Sequence, residues 1–388
     1  MNDMRAVVIG AGPAGLATAV ELGRRGIRTV VIERGDAVGW AWHGRYDRLR
    51  LNSSRWFSQL PGMRFARGTG VFPSRDEMVS HLDRYAARFG IDVRLRTRVE
   101  RIDREGDGWV VRTSTGDVTA AHVVVATGHA HTGHIPDWPG RDRFAGSIAH
   151  AADYRNPGAY RGTDVLVVGA GCSGMEIAYD LATGGAGRVR MAVRTPPNIL
   201  VRMPIGPLLA RGLARLPSER ADAILRKVRL KELGDLTACG LPIPEEGPIS
   251  RMKRLRVAPT IVDTEWIDAV RDGRIEVVAG VESFDGSGVH LADGTRIEPD
   301  AVIAATGYRR GLEPLVGHLG VLDERGLPLA HQGEPAADGL RFVGYLPRPA
   351  QLGYLGGEAK VAAQGIARER RAARRRPVRV PRVAVQAR

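Results

Sequence analysis

The amino-acid sequence predicts an α/β protein built on two parallel sheets, and two pairs of segments lead to this fold class. Two glycine-rich loops, GAGPAG at 10–15 and GAGCSG at 169–174, each follow a short apolar strand and open a helix. Two apolar runs, HVVVATG at 122–128 and DAVIAATG at 300–307, stop abruptly at Thr-Gly. Continuous apolar strands are typical of parallel sheets that are covered on both faces.

The first glycine-rich loop has the features of a dinucleotide-binding βαβ unit. A strand is predicted at 5–9, a helix follows the loop, and a second strand at 29–32 ends in an acidic residue. The three glycines allow a tight turn, close approach of a pyrophosphate and close helix–strand packing, while the acid is placed to bind a ribose hydroxyl. The unit is therefore predicted to hold FAD or NAD through Gly10, Gly12, Gly15, Glu33 and Arg34.

The second loop repeats the unit, with one difference at the end of its second strand. Strands are predicted at 165–168 and 189–193, with a helix at 173–182. Where the first unit has an acid, this one has a cation, which accommodates a 2′-phosphate that a carboxylate would repel. This unit is therefore predicted to bind NADPH; the alternative is that the cation is an ordinary surface arginine. Its predicted cofactor-binding residues are Gly169, Gly171, Ser173, Gly174, Arg194 and Thr195.

The two Thr-Gly strands indicate how the domains are arranged. One follows each dinucleotide unit, as expected where a chain passes between nucleotide domains, and Gly128 and Gly307 let the backbone approach a cofactor. We predict two Rossmann-like domains, with the NADPH domain inserted in the FAD domain. The predicted FAD-binding domain is 1–155 and 296–367, the NADPH-binding domain is 156–295, and 368–388 is a basic, disordered tail.

A proline-punctuated insertion follows the second unit, and its strongly basic amphipathic helix is predicted at 219–233. This helix is either a lid that faces the substrate or a solvated helix on the outer face.

Length and composition indicate a globular protein of two or three domains. The chain has 388 residues, of which 43% are hydrophobic and 26% charged, and no apolar run reaches the length of a transmembrane helix. The first residues enter a strand directly and leave no room for a signal peptide, so we expect a cytoplasmic protein. Its two cysteines, Cys172 and Cys239, are too far apart for a CxxC zinc site or redox pair.

The net charge of +14 is unevenly distributed, because nine arginines and one glutamate at 368–388 contribute +8 of it. That segment has no aromatic residue to stack on a base, so we interpret it as a solvated tail, with polyanion binding as the alternative. Nucleic acid is therefore not an expected partner. The positive charge of the body suits anionic cofactors or substrates.

A third motif, FAGSIAHAADY at 144–154, lies between the two units and has the form FxGxxxHxxxY. Together with the glycine-rich loops and the Thr-Gly strands, it resembles the fingerprint of the class B flavin-dependent monooxygenases, and more narrowly of the flavin-containing monooxygenase branch. The Baeyer–Villiger branch has Trp-Pro where this chain has Tyr-Arg. The resemblance implies that the fingerprint residues organise the link between the FAD and NADPH domains; they are Phe144, Gly146, His150 and Tyr154.

Several segments resemble the plant YUCCA monooxygenases, which convert indole-3-pyruvate to indole-3-acetate: RYDRLRL at 45–51, YAARF at 85–89, VLVVGAGCSGMEIAYDL at 165–181 and GRIEV at 273–277. LNSS at 51–54 instead resembles the general flavin-containing monooxygenases, in which the asparagine lies beside flavin and oxygen. The GGxW turn of the family is altered to GWAW at 39–42. The resemblance thus implies that Asn52 donates a hydrogen bond at the reaction centre and that Trp42 packs near the flavin. The alternatives are a turn-capping asparagine and a core tryptophan.

The implied activity is that of an NADPH- and FAD-dependent monooxygenase. NADPH reduces FAD, O2 gives a C4a-(hydro)peroxyflavin, and this species oxygenates a small organic substrate at nitrogen or sulfur or decarboxylates a 2-oxo acid. The alternatives are a Baeyer–Villiger ketone monooxygenase, an FAD/NADPH reductase or oxidase without oxygen insertion, and a non-catalytic nucleotide sensor. The expected partners are a small molecule and O2, with neither a metal nor a membrane span, and a homodimer is one hypothesis for the assembly.

Three histidines in GHAHTGH, His129, His131 and His134, raise the alternative of a metal site. They directly follow the first Thr-Gly strand, and no acid or cysteine lies close by in the sequence. Because the family that the chain resembles needs no metal, we interpret them as residues of a surface loop.

Overall fold

A computed structural model describes residues 6–213, 215–346, 348 and 350–375 of the chain. Arg5, the first residue of the predicted first strand, lies outside these ranges, as does the predicted tail from 376 onwards. Helices and strands alternate along most of the described chain, which confirms the predicted α/β class.

The α-helices of the described residues are α1 Pro13–Gly23, α2 Trp40–His43, α3 Arg75–Arg88, α4 Cys172–Thr183, α5 Gly206–Leu213, α6 Ser218–Leu233, α7 Pro248–Leu255, α8 Thr264–Arg271, α9 Glu313–Val316 and α10 Leu352–Arg375. The strands are β1 Ala6–Ile9, β2 Thr29–Ile32, β3 Val93–Arg94, β4 Val99–Glu105, β5 Gly108–Thr113, β6 Val118–Ala120, β7 His122–Val125, β8 Thr132–Gly133, β9 Ser147–His150, β10 Asp164–Val168, β11 Arg188–Val193, β12 Ile199–Val201, β13 Thr260–Val262, β14 Glu276–Ala279, β15 Val281–Phe284, β16 Val289–Leu291, β17 Arg296–Ile297, β18 Ala301–Ala304, β19 Tyr308–Arg309, β20 Pro335–Ala337 and β21 Leu340–Phe342.

The first sheet has the strand order β20-β21-β7-β1-β2-β3, with β1 running parallel between β2 and β7. Alternate side chains of a strand point to opposite faces, so Val8 packs among residues of α1, α3 and α10. Val7 and Ile9 face the other way, toward the β4-β5-β6 sheet and α9. Both faces of β1 are covered, which is why this strand is apolar at every position.

The second sheet repeats this plan with five parallel strands in the order β14-β11-β10-β18-β9. Val165 and Val167 of β10 pack against α4 and α8. Leu166 and Val168 face the antiparallel sheet β15-β16-β17. Each glycine-rich loop is therefore supported by a buried parallel strand with helices on one side and a small antiparallel sheet on the other.

The two Thr-Gly strands occupy equivalent places in the two sheets. β7 pairs with β1, and β18 pairs with β10, so each lies beside the strand that enters a glycine-rich loop. The short strands that follow them, β8 and β19, pair antiparallel with each other. The two passages of the chain between the sheets therefore run side by side.

The sheets do not divide at the predicted domain boundaries. Ser147–His150, which precedes the predicted boundary at 155, is the edge strand of the second sheet. Ala301–Ala304, which follows the predicted boundary at 296, lies inside the same sheet. Sequence patterns could not indicate which sheet either strand joins, because pairing partners are far apart in the chain. We keep the inserted second domain as a proposal and move its boundaries to about residues 147 and 304.

Helix α10 changes the interpretation of the C-terminal segment. It continues through Arg375, so the predicted disordered tail is helical over 368–375. Ala359, Ala362 and Ala363 are fully buried against α1, where small side chains let two helices approach closely. Within the described residues, neither α10 nor any other helix is long and apolar enough to cross a bilayer.

An ion pair with a buried arginine and a partly exposed glutamate holds the end of α10 against the first sheet. The carboxylate of Glu369 binds the guanidinium of Arg341, which is 1% exposed, and lies 3.4 Å from Nδ1 of His122. Burial raises the pKa of Glu369, but hydrogen bonds from His122 and Arg341 outweigh it and bring the pKa to about 2. The many arginines of this segment favour a solvated tail, whereas the contact with the first sheet is made by its single glutamate, Glu369.

The insertion contains α5, α6 and α7, together with the parallel pair β12 and β13. The predicted basic helix is present as Ser218–Leu233, and it buries Ala221, Arg229 and Leu233. Apolar residues on its other faces, including Ile224 and Leu230, are exposed. This placement favours the outer-face interpretation of α6 over the lid.

His81 of α3 is a buried histidine in the core of the first domain. Its ring stacks on Phe65 with centroids 4.1 Å apart, and neither ring nitrogen has a hydrogen-bond partner among the described residues. Burial lowers the pKa of His81 to about 4. The unfolded chain therefore takes up a proton near pH 6.5, whereas the folded protein resists protonation until near pH 4.

We expect acid to destabilise the protein through His81. The contribution of its neutral ring is complete above pH 6.5 and is lost as the pH falls toward the folded-state pKa, on the order of 2 kcal/mol between pH 7 and pH 5. The H81F variant should lose correspondingly less unfolding free energy over this range in urea titrations. H43N, at an exposed histidine, should keep the wild-type dependence. Equal slopes for H81F and wild type would contradict the assignment.

Candidate active site

A cavity of about 800 Å³ lies between the two sheets, at the carboxyl ends of their parallel strands. This edge is where ligands bind in doubly wound α/β folds, because loops and helix N-termini converge there. Both glycine-rich loops contribute to the wall. The predicted site residues that line it are Gly10, Gly12, Glu33, Arg34, Trp42, Asn52, Gly128 and Ser173.

The first and third positions of each loop require glycine, because the backbone there leaves no room for a side chain or has a positive φ. Gly10 and Gly169 have φ values of +102° and +114°, which side chains rarely adopt. A Cβ on Gly15 would lie 1.8 Å from the carbonyl oxygen of Gly10, and one on Gly174 would lie 2.0 Å from that of Gly169. Each helix can therefore approach the preceding strand only because these positions lack side chains.

The second glycines face open space. A Cβ on Gly12 or Gly171 would meet no atom within 4 Å. These residues are also the N-caps of α1 and α4, and neither helix has a side-chain cap. The N–H groups of the first turn of each helix, which in α1 begin after Pro13 because proline has none, are thus left for an outside acceptor, and the dipole favours an anion there. Both loops fit the pyrophosphate of a dinucleotide.

Glu33 directly follows β2, and its carboxylate accepts hydrogen bonds from backbone N–H groups. Its Oε2 accepts from the N–H of Ala11 at 2.8 Å and its Oε1 from that of Gly35 at 2.9 Å. The side chain lines the cavity while being 8% exposed. Arg34 extends to His131, with Nη1 2.8 Å from Nε2. Glu33 is therefore held beside the first loop in the position predicted for a ribose ligand.

Arg194 and Thr195 follow β11 and are exposed, outside the wall of the main cavity. Because β11 pairs with β10, the strand end that carries Arg194 lies next to the second loop. No hydrogen bond or ion pair from the described part of the chain engages the Arg194 guanidinium. The cation is therefore available to a ligand of the second loop.

Asn52 lies in a buried polar network that joins the two domains. Its Oδ1 accepts a hydrogen bond from Nη2 of Arg202 at 3.1 Å. Arg202 follows β12, and its side chain, 1% exposed, also pairs with Glu176 and, at 3.0 Å, with Asp263. Tyr46 completes the network by donating its hydroxyl proton to Glu176 at 2.5 Å. The network takes residues from the first domain, from α4 and from the insertion.

Burial dominates the electrostatics of this network. It raises the pKa of Glu176, although the neighbouring Arg202 opposes this rise. Burial, followed by the charge of Glu176, raises the pKa of Tyr46 well above its ordinary value. Tyr46 therefore remains a protonated donor, and the guanidinium of Arg202 supplies the positive charge that a buried carboxylate needs.

Cys172 lies in the wall of the cavity and forms a hydrogen bond with the backbone. It is the first residue of α4, it lines the cavity, and its Sγ accepts from the N–H of Ile261 at 3.3 Å. Burial raises the pKa of Cys172, although hydrogen bonds from Ile261 and Asn52 oppose this rise. The thiol is therefore protonated at neutral pH and a poor nucleophile.

The residues of FxGxxxHxxxY lie outside the main cavity and pack the second sheet. Phe144 meets Phe284 edge-to-face with centroids 5.3 Å apart. A Cβ on Gly146 would lie 2.6 Å from the carbonyl oxygen of Asp300, so only glycine fits between β9 and the entry to β18. The first half of the motif therefore serves close packing.

The second half of the motif makes hydrogen bonds at the passage between the sheets. Nδ1 of His150 accepts from the N–H of Ala152 at 3.0 Å, so Nε2 carries the proton and donates to the Gly307 carbonyl at 2.9 Å. Burial lowers the pKa of His150. Tyr154 donates to Asp180 of α4 at 2.8 Å. These bonds support a linking role for the motif, which we retain as a proposal.

The loop histidines are nearer the site than predicted. His129 and His131 line the main cavity, so they are not simply residues of an outer surface loop. Nδ1 of His129 lies 3.3 Å from the Gly344 carbonyl oxygen. Within the described residues no cluster of His, Cys, Asp or Glu has the arrangement of a metal site.

Sequence reasoning did not identify Arg50, Glu176 and Arg202 as site residues. Glu176 carried a signal, because it is one of only two acids, with Asp180, in the mostly apolar helix after the second loop. Arg202 carried none, since its partner Asn52 is 150 residues earlier in the chain. Only the folded chain brings these groups together.

Comparisons with known proteins agree with this architecture. A family model described as pyridine nucleotide-disulphide oxidoreductase matches residues 7–221. The chain is 37% identical over 313 residues to the indole-3-pyruvate monooxygenase YUCCA1 of Oryza sativa subsp. japonica, covering 78% of this chain and 76% of that protein. It is 34% identical over 357 residues to the probable indole-3-pyruvate monooxygenase YUCCA8 of Arabidopsis thaliana, covering 87% and 83%.

Solved structures share the fold at lower identity. A flavin-containing monooxygenase from Stenotrophomonas maltophilia superposes with a TM-score of 0.71 at 24% identity, covering 95% of this chain and 98% of that one. A bacillithiol disulfide reductase from Bacillus cereus gives 0.69 at 22% identity, covering 94% and 99%. Because a monooxygenase and a reductase match equally well, the fold alone does not distinguish the two activities.

The glycine geometry of the second loop predicts opposite effects for two alanine variants. G174A should lower the melting temperature of the nucleotide-free protein by about 5 °C or more, because its Cβ collides with backbone. G171A should melt like wild type yet bind NADP+ about tenfold more weakly, because its Cβ occupies space open to the ligand. Thermal unfolding and NADP+ titration measure the two effects. If both variants behave alike, the division of roles is wrong.

Proposed function

The chain belongs to the pyridine nucleotide-disulphide oxidoreductase family and is a YUCCA-like flavin-dependent monooxygenase, and from this premise we propose that it oxidatively decarboxylates an aromatic 2-oxo acid such as indole-3-pyruvate. The observation that carries the proposal is a single cavity whose wall contains both glycine-rich loops, in a chain similar over most of its length to indole-3-pyruvate monooxygenases. The enzyme uses FAD and NADP(H), a small-molecule substrate and O2.

We assign FAD to the first loop and NADPH to the second. The open positions at Gly12 and Gly171 and the uncapped helices support a pyrophosphate at each loop. The proposed FAD-binding residues are Gly10, Gly12, Gly15, Glu33, Arg34, Trp42 and Gly128, and the proposed NADPH-binding residues are Gly169, Gly171, Ser173, Gly174, Arg194, Thr195 and Gly307. Bound flavin would supply hydride acceptance and oxygen activation, which no side chain can provide.

The residues of the cavity would control the environment of that chemistry. We propose that the Asn52 amide donates a hydrogen bond toward the reacting oxygen, because its carbonyl oxygen is already occupied by Arg202. Leu49, Leu51 and Ile261 contribute apolar wall on either side and would limit water. Cys172, kept protonated by burial, would not compete for the oxidant as a thiolate.

Arg50 is the cavity cation best suited to a substrate carboxylate. The other arginines in the wall already have partners: Arg34 with His131, Arg45 with Tyr308, Arg98 with Glu100 and Arg348 with Glu358. In the described part of the chain no hydrogen bond or ion pair engages the Arg50 guanidinium, whose charge acts on Glu77 only at longer range. Arg50 is two residues from Asn52, the proposed hydrogen-bond donor. Its position therefore favours a 2-oxo acid as substrate, with the carboxylate bound by Arg50 near Asn52.

The reaction has a defined balance. One 2-oxo acid, O2, NADPH and a proton give the shortened carboxylic acid, CO2, NADP+ and water, with one atom of O2 entering the acid. We expect ¹⁸O2 to label the acid made from indole-3-pyruvate, measured by mass spectrometry beside NADPH consumption. NADPH oxidation that yields only H2O2 would leave the reductase or oxidase alternative, and a labelled ester from a ketone would favour the Baeyer–Villiger alternative.

The same assay tests the substrate class. R50M should raise KM for indole-3-pyruvate by about tenfold, through loss of a charge-assisted contact, and leave KM for a sulfide without a carboxylate unchanged. R48M is the matched control, because Arg48 lies over the ring of Tyr179 and outside the main cavity. Equal KM changes for both substrates would contradict carboxylate recognition by Arg50.

The NADPH assignment rests on Arg194. R194A should raise KM for NADPH by about tenfold and leave KM for NADH nearly unchanged, because only NADPH carries the 2′-phosphate. R188A, at an exposed arginine that pairs with Glu276 at the start of the same strand, is the control. Initial rates with each nucleotide measure the effect, and a parallel rise for both would overturn the assignment.

We also propose a cytoplasmic location, supported by the use of NADPH and by the free thiols Cys172 and Cys239. A metal-free reaction and a homodimer are further hypotheses for this enzyme.

A further inference from the structure

We propose that Arg202 is a positioning residue that sets the orientation of the Asn52 amide in the active-site cavity. The inference rests on the proposed function, in which Asn52 is the hydrogen-bond donor. It adds a residue of the insertion to the machinery that determines whether reducing power is used for oxygenation or lost as H2O2.

The chemistry of the two side chains defines the orientation. A guanidinium has only donors, so the Asn52 atom 3.1 Å from Nη2 of Arg202 must be the carbonyl oxygen Oδ1. The amide NH2 is then directed to the opposite side, where it lies close enough to the Sγ of Cys172 to affect the pKa of that thiol. Both Asn52 and Cys172 line the cavity. Without Arg202, the amide could rotate and present its oxygen to the reaction centre, where it would repel an oxygen anion.

Arg202 is itself held in place from three sides. It forms an ion pair with Glu176 of α4, and its Nη1 lies 3.0 Å from the carboxylate of Asp263 at the start of α8. Its guanidinium carbon lies 5.7 Å from the centroid of the Phe72 ring. Since the side chain is 1% exposed, little freedom remains to it. This is how a rigid donor is built: the group at the reaction centre is oriented by a neighbour that cannot move.

The orientation also couples the two domains. Asn52 belongs to the segment between α2 and α3 of the first domain, whereas Glu176 lies in the helix that follows the second glycine-rich loop. Arg202 bonds both, so a shift of α4 would be passed to the Asn52 amide through one guanidinium.

The experiment compares R202M and R202K with N52A, the double variant N52A/R202M and the control R190M. R190M removes another buried arginine that pairs with a carboxylate, Asp164, in the same domain but makes no contact with Asn52. R202K keeps the charge beside Glu176 but lacks the fork that reaches Asn52 as well, so it preserves the fold if R202M does not. Each variant is assayed with indole-3-pyruvate for product, NADPH consumption and H2O2.

We expect R202M and R202K to lower product per NADPH by about tenfold, with a matching rise in H2O2, as for loss of one hydrogen bond to a charged group. In the N52A background R202M should add no further loss, because both changes remove the same donor. R190M should keep the wild-type ratio. Wild-type coupling in R202M and R202K, or an additional loss in the double variant, would overturn the proposal. A wild-type enzyme that makes only H2O2 would instead overturn the proposed function.

A second readout needs no turnover. The chain contains four asparagines, so selective ¹⁵N-asparagine labelling yields four side-chain amide groups, and N52A identifies the signal of Asn52. A fixed amide should give shifts away from random-coil values and a rigid heteronuclear NOE. Both should be lost in R202M and R202K and kept in R190M. An unchanged Asn52 signal in the Arg202 variants would contradict the positioning role.

Discussion

The close approach of each helix to the end of its parallel strand is the constraint on which this enzyme depends. At Gly15 and Gly174 a single additional carbon would overlap a backbone carbonyl oxygen, at 1.8 and 2.0 Å. This contact brings the uncapped N-termini of α1 and α4 to the edge where the strands end. This position of the helix N-termini suits dinucleotide binding, because their free N–H groups and the helix dipoles then point into the space in front of each loop.

The same construction is used twice, and the two copies share one cavity. Each sheet places a Thr-Gly strand next to the strand that enters its glycine-rich loop, and the chain crosses between the sheets after those strands. His150 bonds the Gly307 carbonyl at this crossing, and Tyr154 bonds Asp180 of α4 within the second domain. These contacts support our proposal that the fingerprint motif links the two domains, a role separate from that of the residues that line the cavity.

The charged side chains in and around the cavity fall into two groups: some form ion pairs within the protein, and others have no protein partner among the described residues and can bind a ligand. The guanidinium of Arg202 pairs with the carboxylates of Glu176 and Asp263, so the charge buried beside Glu176 has a partner. Arg50 and Arg194 remain without such partners among the described residues, one in the cavity and one at the end of β11. This contrast distinguishes cations that hold the protein together from cations that we assign to ligands.

The sequence by itself determined the fold class and the two dinucleotide units, because these depend on local patterns of glycine spacing, apolar strands and strand-end charge. It indicated the monooxygenase family through the resemblance of its motifs. It also predicted a functional asparagine at position 52, although only through resemblance. Tertiary structure decided which sheet β9 and β18 join, that 368–375 is helical and docked by Glu369, and that His129 and His131 face the cavity. It alone brought Arg202 to Asn52 across 150 residues. Hydrogen bonds and ion pairs between distant residues leave no periodic trace in a single sequence, so only the packed chain reveals them.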